Sequence, residues 1–159
     1  MDLKKILTYS LIVMSLVIIG ASFLLNKSLS PLKQAKAETV KIAETKADLT
    51  EPEDFYWYNG NNTYFTVTGK NSESEEIIVI VKQDGGSTEI FNKKDVFPKS
   101  KAIAQVRELD KPAHILEARI GIHNDLAIWE ISFRQENGKI GYTMLSLTSG
   151  EWVRTIKNI

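Results

Sequence analysis

The side chains available for chemistry are few. There are two histidines, His114 and His123, no cysteine, and, among 20 acidic residues, two short bunched runs, Glu51–Asp54 and Glu73–Glu76. A metal centre needs His, Cys or carboxylate ligands at converging spacings, and the two histidines, one at a strand start and one at a hairpin tip, lack such a spacing. The Glu73–Glu76 run does not follow the ligand pattern of a calcium loop, so it reads as a solvated hairpin tip, and "EPED" reads as a charged linker. No Gly-x-Ser-x-Gly or His-Glu-x-x-His pattern occurs, and Ser100 and Lys101 stand beside each other with no supporting motif. These residues predict no catalysis, no cofactor and no small-molecule substrate.

What remains is recognition by aromatic surface. In "FYWY", Phe55 to Tyr58, neighbouring side chains of an extended strand point to opposite faces. Two of the four therefore face away from whatever core the other two join. Aromatic residues left outside are enriched in protein interfaces, which makes Tyr56, Trp57 and Tyr58 candidate partner-binding residues. The competing reading is that a neighbouring unit covers them, as small cores invite.

The elements that would position this run follow from periodicity and turn signals. After residue 29, Ser30 and Pro31 suit a helix start, and Val40, Ala43 and Ala47 give it a thin apolar face before Pro52 breaks it. Strands are predicted at Phe55–Tyr58, Thr63–Gly69, Glu76–Lys82 and Ser87–Phe91, with "GNN" and "DGG" as turns. The pattern then restarts. "FPKSKAIAQVRELDK" predicts a helix with Ile103, Val106 and Leu109 on one face, ended by Pro112. Strands follow at His114–Ile122, Leu126–Arg134, Lys139–Leu147 and Glu151–Ile156. In "LAIWEISFR", alternation assigns Ala127, Trp129, Ile131 and Phe133 to the core and Ile128, Glu130, Ser132 and Arg134 to the other face.

A shift of 64 residues sets Val40 on Ala104, Phe65 on Trp129, Val67 on Ile131, Val81 on Leu145 and Gly86 on Gly150. Helix followed by antiparallel meander occurs twice, so the expected class is α+β with two tandem units, 26–92 and 93–159.

At the N-terminus, Ile6 to Leu25 is free of charge and long enough to span a hydrocarbon core of roughly 30 Å. We expect a transmembrane helix there, with residues 1–5 as a cytoplasmic tail and the remainder outside the membrane, because long domains translocate largely regardless of charge. "AKA" at Ala35–Ala37 has the form of a signal-peptidase site but lies far beyond the apolar run, which favours a retained anchor. Setting Lys4, Lys5 and Asp2 aside from 20 basic and 20 acidic residues leaves 18 and 19 in the exported part. That balance argues against nucleic acid as a partner.

"LAIWEISFRQENGKIGYTMLSLTSGEWV" resembles the end of a PepSY domain, and with "DFYWYNGNNTYFTVTGK" and "FPKSKAIAQV" the whole chain is similar to the TseB family (formerly YpmB) of Gram-positive cell wall elongation regulators. The resemblance implies two tandem cystatin-like or PepSY-like units outside the membrane. It also implies docking on the class B penicillin-binding protein of the elongation machinery, without catalysis. The shared positions shape the fold: Gly60, Tyr64, Gly69, Trp129, Glu130, Gly138, Tyr142, Thr148 and Gly150. Pro98 departs from the family's capping serine. Because related units occur in protease propeptides, inhibition of an exported peptidase is the alternative function.

Overall fold

The computed structural model describes residues 3–112 and 114–159, and within the first helix the side chains of residues 3–6, 8, 24–26, 28 and 29 lie outside the described set. The architecture is α+β: two antiparallel four-stranded sheets with three helices, one of them a short 3-10 turn at Lys93–Asp95. The chain divides into two compact bodies, one ending at Ala37 and one comprising Glu38–Ile159.

Helix α1, Leu3–Ala47, is continuous, with Pro31 inside it. The expected helix start at Ser30–Pro31 is therefore not a start. A proline within a helix gives up one hydrogen bond to the preceding turn but does not oblige the chain to stop. Among the described residues, no helix is long and apolar enough to cross a membrane. The described side chains of the expected Ile6–Leu25 span are Leu7 and Tyr9 to Phe23, all exposed, and Ile6, Thr8, Leu24 and Leu25 fall outside the described set.

From Glu38 onward the helix joins the second body. It ends in Lys46 and Ala47, Asp48 takes a left-handed conformation (φ 50°), and strand β1 begins at once. The first sheet has the order β1 (Leu49–Asn59), β2 (Thr63–Asn71), β3 (Glu76–Lys82), β4 (Thr88–Asn92). β1 is longer than the expected Phe55–Tyr58. The supposed linker "EPED" belongs to it, with Pro52 opposite Gly69 and bulges on both sides of Pro52. An edge strand tolerates proline because its outer side carries no ladder bond to lose.

After the 3-10 turn comes α2, Lys99–Asp110, with Pro98 at its N-cap and Lys111, left-handed at φ 44°, closing it just before Pro112. The second sheet runs β5 (His114–His123), β6 (Leu126–Arg134), β7 (Ile140–Ser146), β8 (Trp152–Ile156). The 64-residue shift carries Glu76–Lys82 onto Ile140–Ser146 and Thr88–Asn92 onto Trp152–Ile156. The repeat is thus structural. The left-handed glycine before β4 is Gly85, whereas before β8 it is Gly150, so the pairing of Gly86 with Gly150 is offset by one.

Each sheet carries a helix on one face. Ala43 of α1 packs with Leu49, Val67, Ile77, Val79 and Val81. Ala102 and Val106 of α2 pack over the second sheet, while Leu109 is exposed, a correction to the expected apolar face. Two hydrogen bonds place α2: Trp129 Nε1 donates to the Phe97 carbonyl at 2.8 Å, and Gln105 Nε2 to the Gly150 carbonyl at 3.0 Å.

The opposite face of the first sheet is not solvated. Tyr56, Tyr58, Tyr64, Ile78 and Ile80 share one core with residues of the second sheet. Contact is concentrated at β5, the free edge of that sheet, where Thr66 Oγ1 donates to the Ile120 carbonyl at 3.2 Å. Tyr56 reaches one side of β5, edge-on to Trp129 at 6.2 Å, and Tyr58 the other, against Gly121 and His123. Two covers explain a second departure from expectation. Ile128, Glu130 and Ser132, assigned to the outer face of β6, are buried like their alternates.

Any Cβ on Gly121 would collide with the Tyr58 ring. Gly121→Ala is expected to destabilise by about 1 to 3 kcal/mol, the usual cost of overpacking, seen as a lower urea midpoint. Combined with Tyr58→Leu it should lose less than the sum of the single losses, because one collision underlies part of both.

Candidate interaction surface

Alternation along β1 sorts the candidate aromatics. Tyr56 pairs across the ladder with Thr66, and Tyr58 with Tyr64, on the inward face. Tyr56 is 8% exposed and Tyr58 1%, so both are spent on the junction between the sheets and are corrected as surface candidates. Trp57 points the other way and is 43% exposed. It lies against Phe65 (centroids 5.6 Å apart), and Phe65 stacks on Phe55 at 5.9 Å, which makes an aromatic strip on the outer face of the first sheet.

Inward, the two tyrosines sit in different electrostatic settings. Burial, with Asp54 beside it, pushes the Tyr56 hydroxyl well above its ordinary range. That hydroxyl donates to Asp54 Oδ2 at 3.2 Å, and the Lys99 ammonium lies 5.3 Å from the ring centroid. Burial and the Glu130 charge push Tyr58 up to about 12. Its hydroxyl shares a 3.3 Å hydrogen bond with His123 Nδ1, whose direction follows the imidazole tautomer.

Arg119 joins the halves. Its Nη1 donates to the Trp57 carbonyl at 3.4 Å, Nη2 meets Glu117 Oε2 at 3.2 Å, and Nε lies 3.2 Å from Glu130 Oε1. The last contact is off-line for a hydrogen bond and so acts as an ion pair alone. Burial raises the Glu130 carboxyl above the ordinary carboxylate range, Arg119 pulls it back, and Glu117 raises it further. Beside this cluster opens a pocket of about 330 Å³ between the Asn59–Asn61 turn and the face of the second sheet away from α2. A second cleft, of about 370 Å³, lies on the α2 side among Tyr56, Phe97, Pro98, Lys99 and Trp129.

Among the described residues, no cluster of three or more His, Cys, Asp or Glu side chains could hold a metal ion. His114 is exposed at the start of β5. Four residues that the sequence reading left without a site role, Arg119, His123, Glu130 and Arg154, line the 330 Å³ pocket.

Residues 38–82 match the family model of the cell wall elongation regulator TseB-like domain. The likeness to that family lies in this stretch of the chain. The match begins where the second compact body begins, and it takes in the last turns of α1 with β1, β2 and β3. In fold, the chain is similar to the YpmB protein from Bacillus subtilis, with a TM-score of 0.70 and 16% identity over 77% of this chain and 96% of that one. A candidate lipoprotein from Clostridium difficile 630 is more distant, at a TM-score of 0.41 and 12% identity over 77% of this chain and 92% of that one. No curated protein matches the chain. Trp57 and the aromatic strip lie inside the matched stretch, and the pocket is shared between it and the second repeat.

The raised carboxyl predicts a pH dependence. A folded-state pKa above the unfolded value means that the folded protein holds the Glu130 proton more tightly, so stability falls as pH rises from the ordinary carboxylate range through the raised one. In urea titrations across that window, the stability difference between Glu130→Gln and the parent should shift steadily in the variant's favour. A difference independent of pH would show that burial does not govern this carboxyl.

Proposed function

We propose that this chain is a membrane-anchored, non-enzymatic regulator of cell wall elongation that docks, outside the membrane, on a class B penicillin-binding transpeptidase. The observation that carries this reading is the match of residues 38–82 to a family of cell wall elongation regulators. Support for the anchor comes from the uncharged Ile6–Leu25 run at the start of a long continuous helix. Anchoring would hold protein and synthase in one membrane plane, where effective concentration substitutes for intrinsic affinity. Docking would use the outward aromatic strip around Trp57, since Tyr56 and Tyr58 are committed to the fold.

A photocrosslinking residue at position 57, introduced into the full chain in growing cells, is expected to capture the transpeptidase. The same residue at position 101, on the exposed side of α2, is expected to capture much less. Replacing Ile6–Leu25 by an unrelated transmembrane helix should preserve the adduct, and a version without that segment should lose most of it unless overproduced. Capture of an exported peptidase in place of the transpeptidase would favour the inhibitor reading. No adduct from position 57 in a folded protein would remove the strip from the interface.

A further inference from the structure

We propose that the pocket on the face of the second sheet away from α2 binds a compact oxyanion through Arg154. The inference goes beyond the docking reading and stands whether or not that reading does, because the pocket and the Trp57 strip lie on opposite faces of β1.

The pocket is built from polar groups held in place by the fold. Tyr58, His123 and Glu130 are each more than nine-tenths buried, and the first two are hydrogen-bonded to each other. A cavity with such a lining favours a polar occupant whose orientation those groups set. Sign of charge comes from the two guanidinium groups. Arg119 is neutralised by Glu117 and Glu130. Arg154 stands opposite Met144 on β7 and lines the same pocket. Among the described residues it has no carboxylate within ion-pair distance.

Among the side chains lining the pocket the one carboxylate is Glu130, already paired. An oxyanion would meet one guanidinium without a carboxylate partner, able to donate two parallel hydrogen bonds, with Tyr142 in the same lining. Met144 and Ile156 supply an apolar wall for a carbon chain attached to the anion. A peptide's C-terminal carboxylate and a phosphate share this chemistry.

The test uses the full chain, ¹⁵N-labelled in detergent micelles, titrated with N-acetyl-alanyl-alanine, with its C-terminal amide, and with inorganic phosphate. We expect saturable shifts at the amides of Asn61, Tyr142 and Arg154 with the acid or with phosphate, and none with the amide. Arg154→Gln should weaken that binding by about tenfold or more, the scale of one charge-assisted hydrogen bond. Arg154 is exposed, so the variant should keep its fold, checked by an unchanged urea midpoint. Lys101→Gln, which removes a charge on α2, should bind like the parent. Saturation by the acid identifies a peptide end as the source, and saturation by phosphate alone identifies a phosphate group. Equal response to acid and amide, binding unaltered in Arg154→Gln, or no saturation by either anion would overturn the proposal.

Discussion

The structure depends on how the free edge of β5 is closed. An edge strand presents unpaired main-chain groups, and a buried carbonyl left without a donor costs about 1 to 3 kcal/mol. Here the inner face of the first sheet lies over that edge, and the Thr66 hydroxyl supplies the donor for Ile120. Tyr56 and Tyr58, two positions apart and so on one face of β1, straddle β5 and carry the apolar core to both sides of it. Gly121 is where the second ring comes closest, and only the absence of a side chain admits it. Neither repeat alone is large enough to bury a generous core. Joined this way, they share one.

That closure settles what surface is left for recognition. Three successive aromatics divide by the strand's alternation, two inward and one outward, so the fold consumes Tyr56 and Tyr58 and leaves Trp57 at the surface. Arg119 reinforces the junction from the second half by donating to the main chain at Trp57, while two carboxylates of its own sheet hold its charge. The Trp57 strip is therefore backed by a hydrogen-bonded, ion-paired seam. The pocket at the other end of that seam contains charge that the seam itself does not consume.

Much of this was legible before any coordinates. β6 falls at Leu126–Arg134 and β3 at Glu76–Lys82, as alternation and turn residues predict, and the repeat showed in the order of elements. What failed did so for nonlocal reasons. Reading "LAIWEISFR" as core on one face assumed water on the other, and nothing within the strand says that a second sheet will cover Ile128 and Glu130. The unbroken Ile77–Val81 run in β3 did carry that message, since a strand with no polar alternate is covered on both faces. His123 looked like a hairpin tip, and its burial depends on Tyr58, 65 residues away. In α2, counting large residues selected Leu109, whereas close approach to the sheet uses the small Ala102. Pro31 has the composition of a helix start yet lies within one, because a single missing N–H does not outweigh the turns on either side.

The claim that two repeats form one body through the β5 edge is tested most directly by native-state hydrogen exchange of the full chain at increasing denaturant, followed segment by segment. If the edge closure holds them together, core amides in Thr63–Asn71 and in Leu126–Arg134 will converge on a single opening free energy with the same denaturant dependence, and Thr66→Val will lower both together. If the first sheet instead exchanges through a cheaper opening while the second stays protected, the repeats are independent domains that merely touch, and the account is wrong.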